Sequence, residues 1–192
     1  MATPDLKALN ERFLRATGST IRQWAMFEQT LWFYLAVLLR TDDQFRVRVI
    51  WASLPTYQSR RTLLRRLAAT YLDDESLRTA EKFLQRASKL ASNRNMLAHS
   101  LGRIDDDGKV WLFGDEFDEE MGMNFLSEVR MQISNVEGWP KDIERLGSEM
   151  TAWLPTLQAA VQASAKMHRE PLPDSAAPAQ PRPSRGKPDK QR

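Results

Sequence analysis

Ser92-Asn93-Arg94-Asn95-Met96-Leu97-Ala98-His99-Ser100 closes a long helical pattern and carries the most informative polar constellation of the chain. Upstream of it, Leu77, Ala80, Leu84, Ala87 and Ala91 recur at three- and four-residue intervals, and Leu97 extends the set. That spacing lines one face of an α-helix. Asp73 or Asp74 can cap the front of the segment and Gly102 can stop it, so a helix is expected over residues 75–100. Asn95 and His99 stand four positions apart and share a face. Arg94 lies five positions before His99 and points about 140° away from it on a regular helix. His99 is one of only two histidines in 192 residues.

The sequence on either side is also helical in period. Leu6, Leu9, Phe13 and Leu14 mark a short amphipathic helix over residues 4–16, with Gly18 beyond its end. Ser19 can cap a second helix over residues 20–40, in which Trp24, Phe27, Leu31, Leu35 and Leu38 form a wide apolar face. Such a face suits a central helix or an oligomer interface. Residues 44–53 read as a shorter helix or an irregular segment, closed by Pro55. Thr56 or Ser59 opens a third long helix reaching Tyr71, with Leu63, Leu64 and Leu67 inward and Arg60, Arg61, Arg65 and Arg66 outward.

After the quoted stretch the period changes. Arg103-Ile104 and Val110-Trp111-Leu112-Phe113 flank Asp106-Asp107-Gly108, a hairpin turn. A small β-hairpin is expected over about 101–113, projecting from the bundle or covering one end. Helices are expected again over about 118–136 and 141–168, separated by Gly138-Trp139-Pro140, with a kink at Pro155. The fold class is therefore all-α, a four- or five-helix up-and-down bundle with a β-hairpin insert, in one domain over residues 1–168. Residues 169–192 are rich in Pro, Arg and Lys without apolar period, and read as a disordered tail.

Composition narrows the function. With no cysteine there is neither a disulfide framework nor a thiolate metal site. Two histidines 69 positions apart argue against a zinc centre, and no cofactor motif is present. The longest apolar run, residues 31–39, is too short to span a bilayer, and the polar first ten residues do not read as a signal peptide. The expectation is a cytoplasmic protein without membrane segments. The net charge of +3 comes from the tail. Within the body, residues 60–103 hold ten basic and four acidic side chains, and residues 105–149 hold four and thirteen. The basic block surrounds Arg94 and His99, as a polyanionic substrate would require.

The arrangement Arg94-Asn95-x-x-x-His99, late in a long helix of an all-α chain, resembles the signature of the HEPN superfamily. Members of that superfamily are small helical proteins, and many are metal-independent ribonucleases. The resemblance covers roughly residues 21–100 and the final helices. It implies a homodimer, in which the motifs of two bundles face each other across a groove. It also implies RNA as substrate, cleaved to a 2′,3′-cyclic phosphate and a 5′-hydroxyl, and a biological role as a growth-arrest toxin or antiphage defence component. RNA carries its own nucleophile, the 2′-hydroxyl. An imidazole such as that of His99 can move the proton, and a guanidinium such as that of Arg94 can bind the phosphate and stabilise its developing charge. Asn95 orients the imidazole or bonds the phosphate. Some superfamily toxins carry a tyrosine two positions after the histidine, which a partner nucleotidyltransferase modifies. Here that position is Leu101, so regulation by that route is not expected, and an antitoxin protein of another kind stays open.

Glu28 is the remaining candidate. It stands among Trp24, Leu31, Trp32 and Leu35, where a carboxylate needs a partner; either Arg94 is that partner, oriented by it, or Glu28 sits at the edge of the face and reaches water. Two other readings stay open: a non-catalytic module that binds RNA, nucleotide or protein in the same groove, and a helical adaptor that docks through its acidic stretch.

Overall fold

The computed structural model describes residues 5–105, 107–118 and 123–167. The chain is mainly helical, with five helices and one three-stranded antiparallel sheet. The tail over residues 169–192, His168 and Asp106 of the expected turn lie outside the described residues.

Helix α1, Leu6–Leu38, is a single helix of 33 residues, where the sequence reading expects two with a break at Gly18. Asp5 caps its first turn, accepting from the backbone N–H groups of Lys7 and Ala8. Phe13, Ala16, Thr20, Trp24, Phe27, Leu31, Leu35 and Leu38 form one unbroken buried stripe that passes Gly18 on its exposed side. A glycine inside a helix costs about 1 kcal/mol. Burying one large apolar side chain contributes about 1.5–3 kcal/mol, so the stripe outweighs the glycine.

Helix α2, Gln44–Ala52, is short and buries Val47. Helix α3, Tyr57–Tyr71, begins at a reciprocal cap between Thr56 and Ser59. Helix α4, Asp74–His99, is capped by Asp73, whose carboxylate accepts from Ser76 N.

Beyond α4 the sheet is larger than the expected hairpin. Strands β1, Leu101–Ile104, β2, Lys109–Asp118, and β3, Met123–Gln132, are paired in the order β1-β2-β3. The helix expected over residues 118–136 is therefore strand as far as Gln132. Around its end, Val129, Met131 and Ile133 are more covered than Glu128, Arg130 and Gln132, which is the period of two of a half-covered strand. Leu101 pairs with Phe113, and Lys109 with Gln132.

Helix α5, Ile133–Met167, runs for 35 residues through both Pro140 and Pro155. The expected break at Gly138-Trp139-Pro140 is absent. A proline inside a helix costs about 3 kcal/mol. Val136, Ile143, Leu146, Met150, Leu157 and Val161 are all buried on one side of this helix, so the burial outweighs the cost of keeping it continuous.

Contacts fix the directions. Arg12 pairs with Glu137, and the Tyr34 hydroxyl donates to the Met150 carbonyl at 2.8 Å, so α1 and α5 run parallel. Trp24 packs on Tyr57 and Glu28 bonds Arg60, so α3 also runs parallel to α1, and short α2 carries the chain back between them. Helix α4 is antiparallel to α3, since Tyr57 bonds Leu84 and Arg65 bonds Glu81. The main core fills the space between α1, α3, α4 and α5. A second cluster joins Phe13, Ala16, Leu97, Val110, Leu112, Ile133 and Val136, so the sheet covers the end of the bundle where α4 stops. At Gly102 the backbone of β1 lies so close to Phe13 that an added Cβ would fall 2.4 Å from Cε1. Among the described residues no helix is long and apolar enough to cross a membrane.

Candidate functional site

The end of α4 carries the motif. His99 is its last residue, Ser100 N closes the final turn on Met96 O at 3.0 Å, and the chain turns directly into β1. Leu97 is buried beneath the turn against Phe13, Ala16 and the sheet residues Val110 and Leu112. This packing holds the helix end at the surface of the bundle. Asn95 and His99 are exposed on it, one turn apart.

Arg94 starts on the inward side, between the buried Ala91 and Leu97, which leaves the residue half-buried. Its guanidinium spans the boundary, with Nε inside and Nη1 reaching outward. Nη1 donates to Asn95 Oδ1 at 2.8 Å, which draws the charged end round the helix toward the exposed face. Its Nε is buried without a hydrogen-bond partner among the described residues. Arg94 and Asn95 are thus brought together, and the Asn95 oxygen is occupied by Arg94. Among the described residues no hydrogen bond joins His99 to either of them.

Glu28 is not part of this site. Its Oε1 accepts from Arg60 Nη1 at 2.7 Å, so the expected pairing with Arg94 is corrected to Arg60. Arg60 is further held by Leu54 O and stacks over Trp51, with 4.9 Å to the ring centroid. Helical geometry explains the correction. Arg94 lies near the end of α4 that packs on Phe13 and Ala16 of α1, whereas Glu28 lies three to four turns further along α1, beside α3.

The basic block is partly neutralised. Arg60 pairs with Glu28, Arg65 with Glu81 at 3.1 Å, and Arg86 with Glu149. Arg61, Arg66, Lys82, Lys89 and Arg94 form no ion pair among the described residues.

Beside the site, the sheet is fastened by a cluster that the sequence reading did not single out. Asp105 accepts from the Trp111 indole at 2.7 Å, from Lys109 N at 2.8 Å and from Arg130 Nη2 at 2.6 Å. These bonds, the indole first, hold the Asp105 carboxyl far below the usual carboxylate range. The Arg130 guanidinium stacks over the same indole. An aspartate directly before the turn was the sequence signal, but its partner Arg130 lies on β3, where a helix was expected. Gly108, with φ of 75°, supplies the left-handed residue of the turn.

No group of three or more His, Cys, Asp or Glu side chains converges among the described residues. The chain matches no protein-family model, no curated protein and no solved structure.

Proposed function

We propose that this protein is a metal-independent endoribonuclease of the HEPN type, working in the cytoplasm as a toxin or antiphage defence component under the control of an antitoxin protein. The observation that carries the reading is the Arg94–Asn95 bond, which brings one end of a guanidinium to the exposed face that Asn95 shares with His99, one turn further on. In this reading Arg94 binds the scissile phosphate, Asn95 fixes its guanidinium, and His99 moves the proton. The 2′-oxygen of RNA attacks phosphorus, the bond from phosphorus to the 5′-oxygen breaks, and the proton lost by the 2′-hydroxyl is balanced by one delivered to the leaving oxygen. One imidazole serves one of these transfers at a time, and a second copy of the chain supplies another.

The homodimer belongs to the same proposal, but through a different surface from the one the sequence suggests. The apolar face of residues 20–40 is buried within its own bundle. What remains is the groove between α1 and α5, with cavities of about 760 and 590 Å³ and with Met26 and Phe33 exposed at its lip. Most of the lining is uncharged, with Arg40 and Asp42 at one cavity and Glu144 at the other as the charged side chains. Depletion of charge with exposed Met and aromatic side chains marks interface cores, and the one cation and two anions on this face can pair across a two-fold contact.

The test is incubation of wild type and His99→Ala with mixed RNA in EDTA, reading chain cleavage and the chemistry of the new ends. Cleavage by wild type alone, leaving cyclic phosphates, is the expected result. The lack of a bond between His99 and Arg94 favours the second reading, a non-catalytic module that binds RNA, nucleotide or protein on this surface. Intact RNA with both proteins would select that reading.

A further inference from the structure

A cleft of about 300 Å³ between α3 and α4 is lined by Arg61, Arg65, Glu81, Leu84 and Gln85. The Arg61 Nε is buried there without a hydrogen-bond partner among the described residues, and the residue forms no ion pair among them. A guanidinium has five donors and no acceptor. A buried N–H left without an acceptor is costly, and an anionic oxygen is the acceptor that satisfies it best. Arg65 is bonded to Glu81 at the cleft, but both side chains of that pair are largely exposed, and such pairs are weakly held. Arg65 can therefore exchange Glu81 for another anion. The Tyr57 hydroxyl donates to Leu84 O at 3.2 Å beside the cleft, and burial pushes its pKa up to about 12, so it stays protonated.

The cleft is in line with the motif. Along α4, Glu81, Gln85, Ser88, Ser92, Asn95 and His99 follow one another at intervals of three and four, the spacing of one helix face. Of these only Ser88 is half-buried; the others are exposed. From Gln85 to His99 the stripe is about 21 Å long. The stripe itself is polar, with the carboxylate of Glu81 at the cleft, and its cations flank it: Arg61 and Arg65 at the cleft, Arg94 beside Asn95. Cations spread along a polar track are what a single-strand binding surface uses to follow the backbone.

We infer that the α3/α4 cleft is a phosphodiester subsite that holds the substrate strand away from the linkage at His99, with Arg61 and Arg65 as its phosphate ligands. The identity of the strand as RNA rests on the nuclease reading; the subsite itself needs only a single-stranded polyanion. Glu81 opposes the bound phosphate, so its removal strengthens binding.

The test is fluorescence anisotropy with a fluorescein-labelled single-stranded DNA of about 16 nucleotides, which lacks the 2′-hydroxyl and is not cleaved, over a series of salt concentrations. Each phosphate contact contributes about 0.7 to the slope of log affinity against log salt for a single strand. Arg61→Gln and Arg65→Gln should each lower the slope by about that amount, with Arg61→Lys restoring part of it. Glu81→Gln should bind more tightly, and Arg145→Gln on α5 should bind like wild type. Arg65 is exposed, so its variant carries the test if Arg61→Gln fails to fold. No binding by wild type, or slopes unchanged in both glutamine variants, overturns the subsite. In parallel, kcat/KM is measured on a long RNA and on a diribonucleotide too short to reach the cleft. Arg61→Gln should slow the first and spare the second. Binding that depends on Arg61 and Arg65 without RNA cleavage by wild type would keep the subsite and refute the nuclease; cleavage with unchanged salt slopes would do the reverse.

Discussion

Replacing Glu28 by glutamine removes one negative charge beside Arg60 and almost nothing else. In the folded protein the two side chains are bonded at 2.7 Å and are only 25% and 17% exposed. Arg60 is anchored by Leu54 O and by the Trp51 ring, so it cannot follow a lost partner into water without giving up those contacts. A hydrogen bond to a charged group contributes about 1.5–3 kcal/mol. The remaining exposure places this one toward the lower half, at about 2 kcal/mol. For a chain of this size that lowers Tm by about 4–8 °C. The assay is urea unfolding of Glu28→Gln, Arg60→Met and the double variant, with RNA cleavage measured per folded molecule. The expected coupling between the two positions is about 1.5 kcal/mol, and cleavage should be unchanged, because the carboxylate holds Arg60 and not Arg94. A coupling below about 0.3 kcal/mol, or cleavage lost at unchanged stability, would refute the reasoning.

Gly18→Ala should stabilise the protein by about 0.5–1 kcal/mol in urea unfolding, because the position is exposed, helical and open to a Cβ; destabilisation would mean that α1 is broken there. Gly102→Ala should cost about 1–3 kcal/mol in the same experiment, since its Cβ would overlap Phe13, and a neutral result would place the sheet further from α1. Asp105 has a folded pKa below its unfolded one, so its bonds stabilise the fold above about pH 4 and are lost as pH falls below that. Asp105→Asn should therefore melt lower than wild type at neutral pH and lose less on acidification, and parallel Tm profiles would contradict this. Phe33→Glu puts a charge at the lip of the α1/α5 groove and should convert a dimer into a monomer in sedimentation; a monomeric wild type or a dimeric variant would remove that surface from the proposal.

Helices α3 and α4 were legible almost to the residue, because caps and three-four spacing agree there. The same spacing placed Asn95 and His99 on one face, which the fold leaves exposed. The errors share one cause. Gly18 and Pro140 are local breakers, and each was overruled by apolar stripes whose value depends on neighbours distant in sequence. Strand β3 was misread because its partner β2 is what stabilises it, although the alternation over residues 128–133 was present as a signal. The Glu28 partner could not be found from one helix, since three arginines of the basic block lie within reach of different helices.

By itself the sequence determined a mainly helical chain, the placement of Asn95 and His99 on one face of a helix end, and the separation of basic and acidic blocks. Periodicity, capping and composition are local properties, readable from spacing alone. Tertiary structure alone decided that α1 and α5 are continuous, that a three-stranded sheet closes the end of the bundle, and that Glu28 belongs to Arg60. Each of these is a competition between a local cost of a few kcal/mol and contacts made across the fold, and only the folded arrangement sets the second quantity.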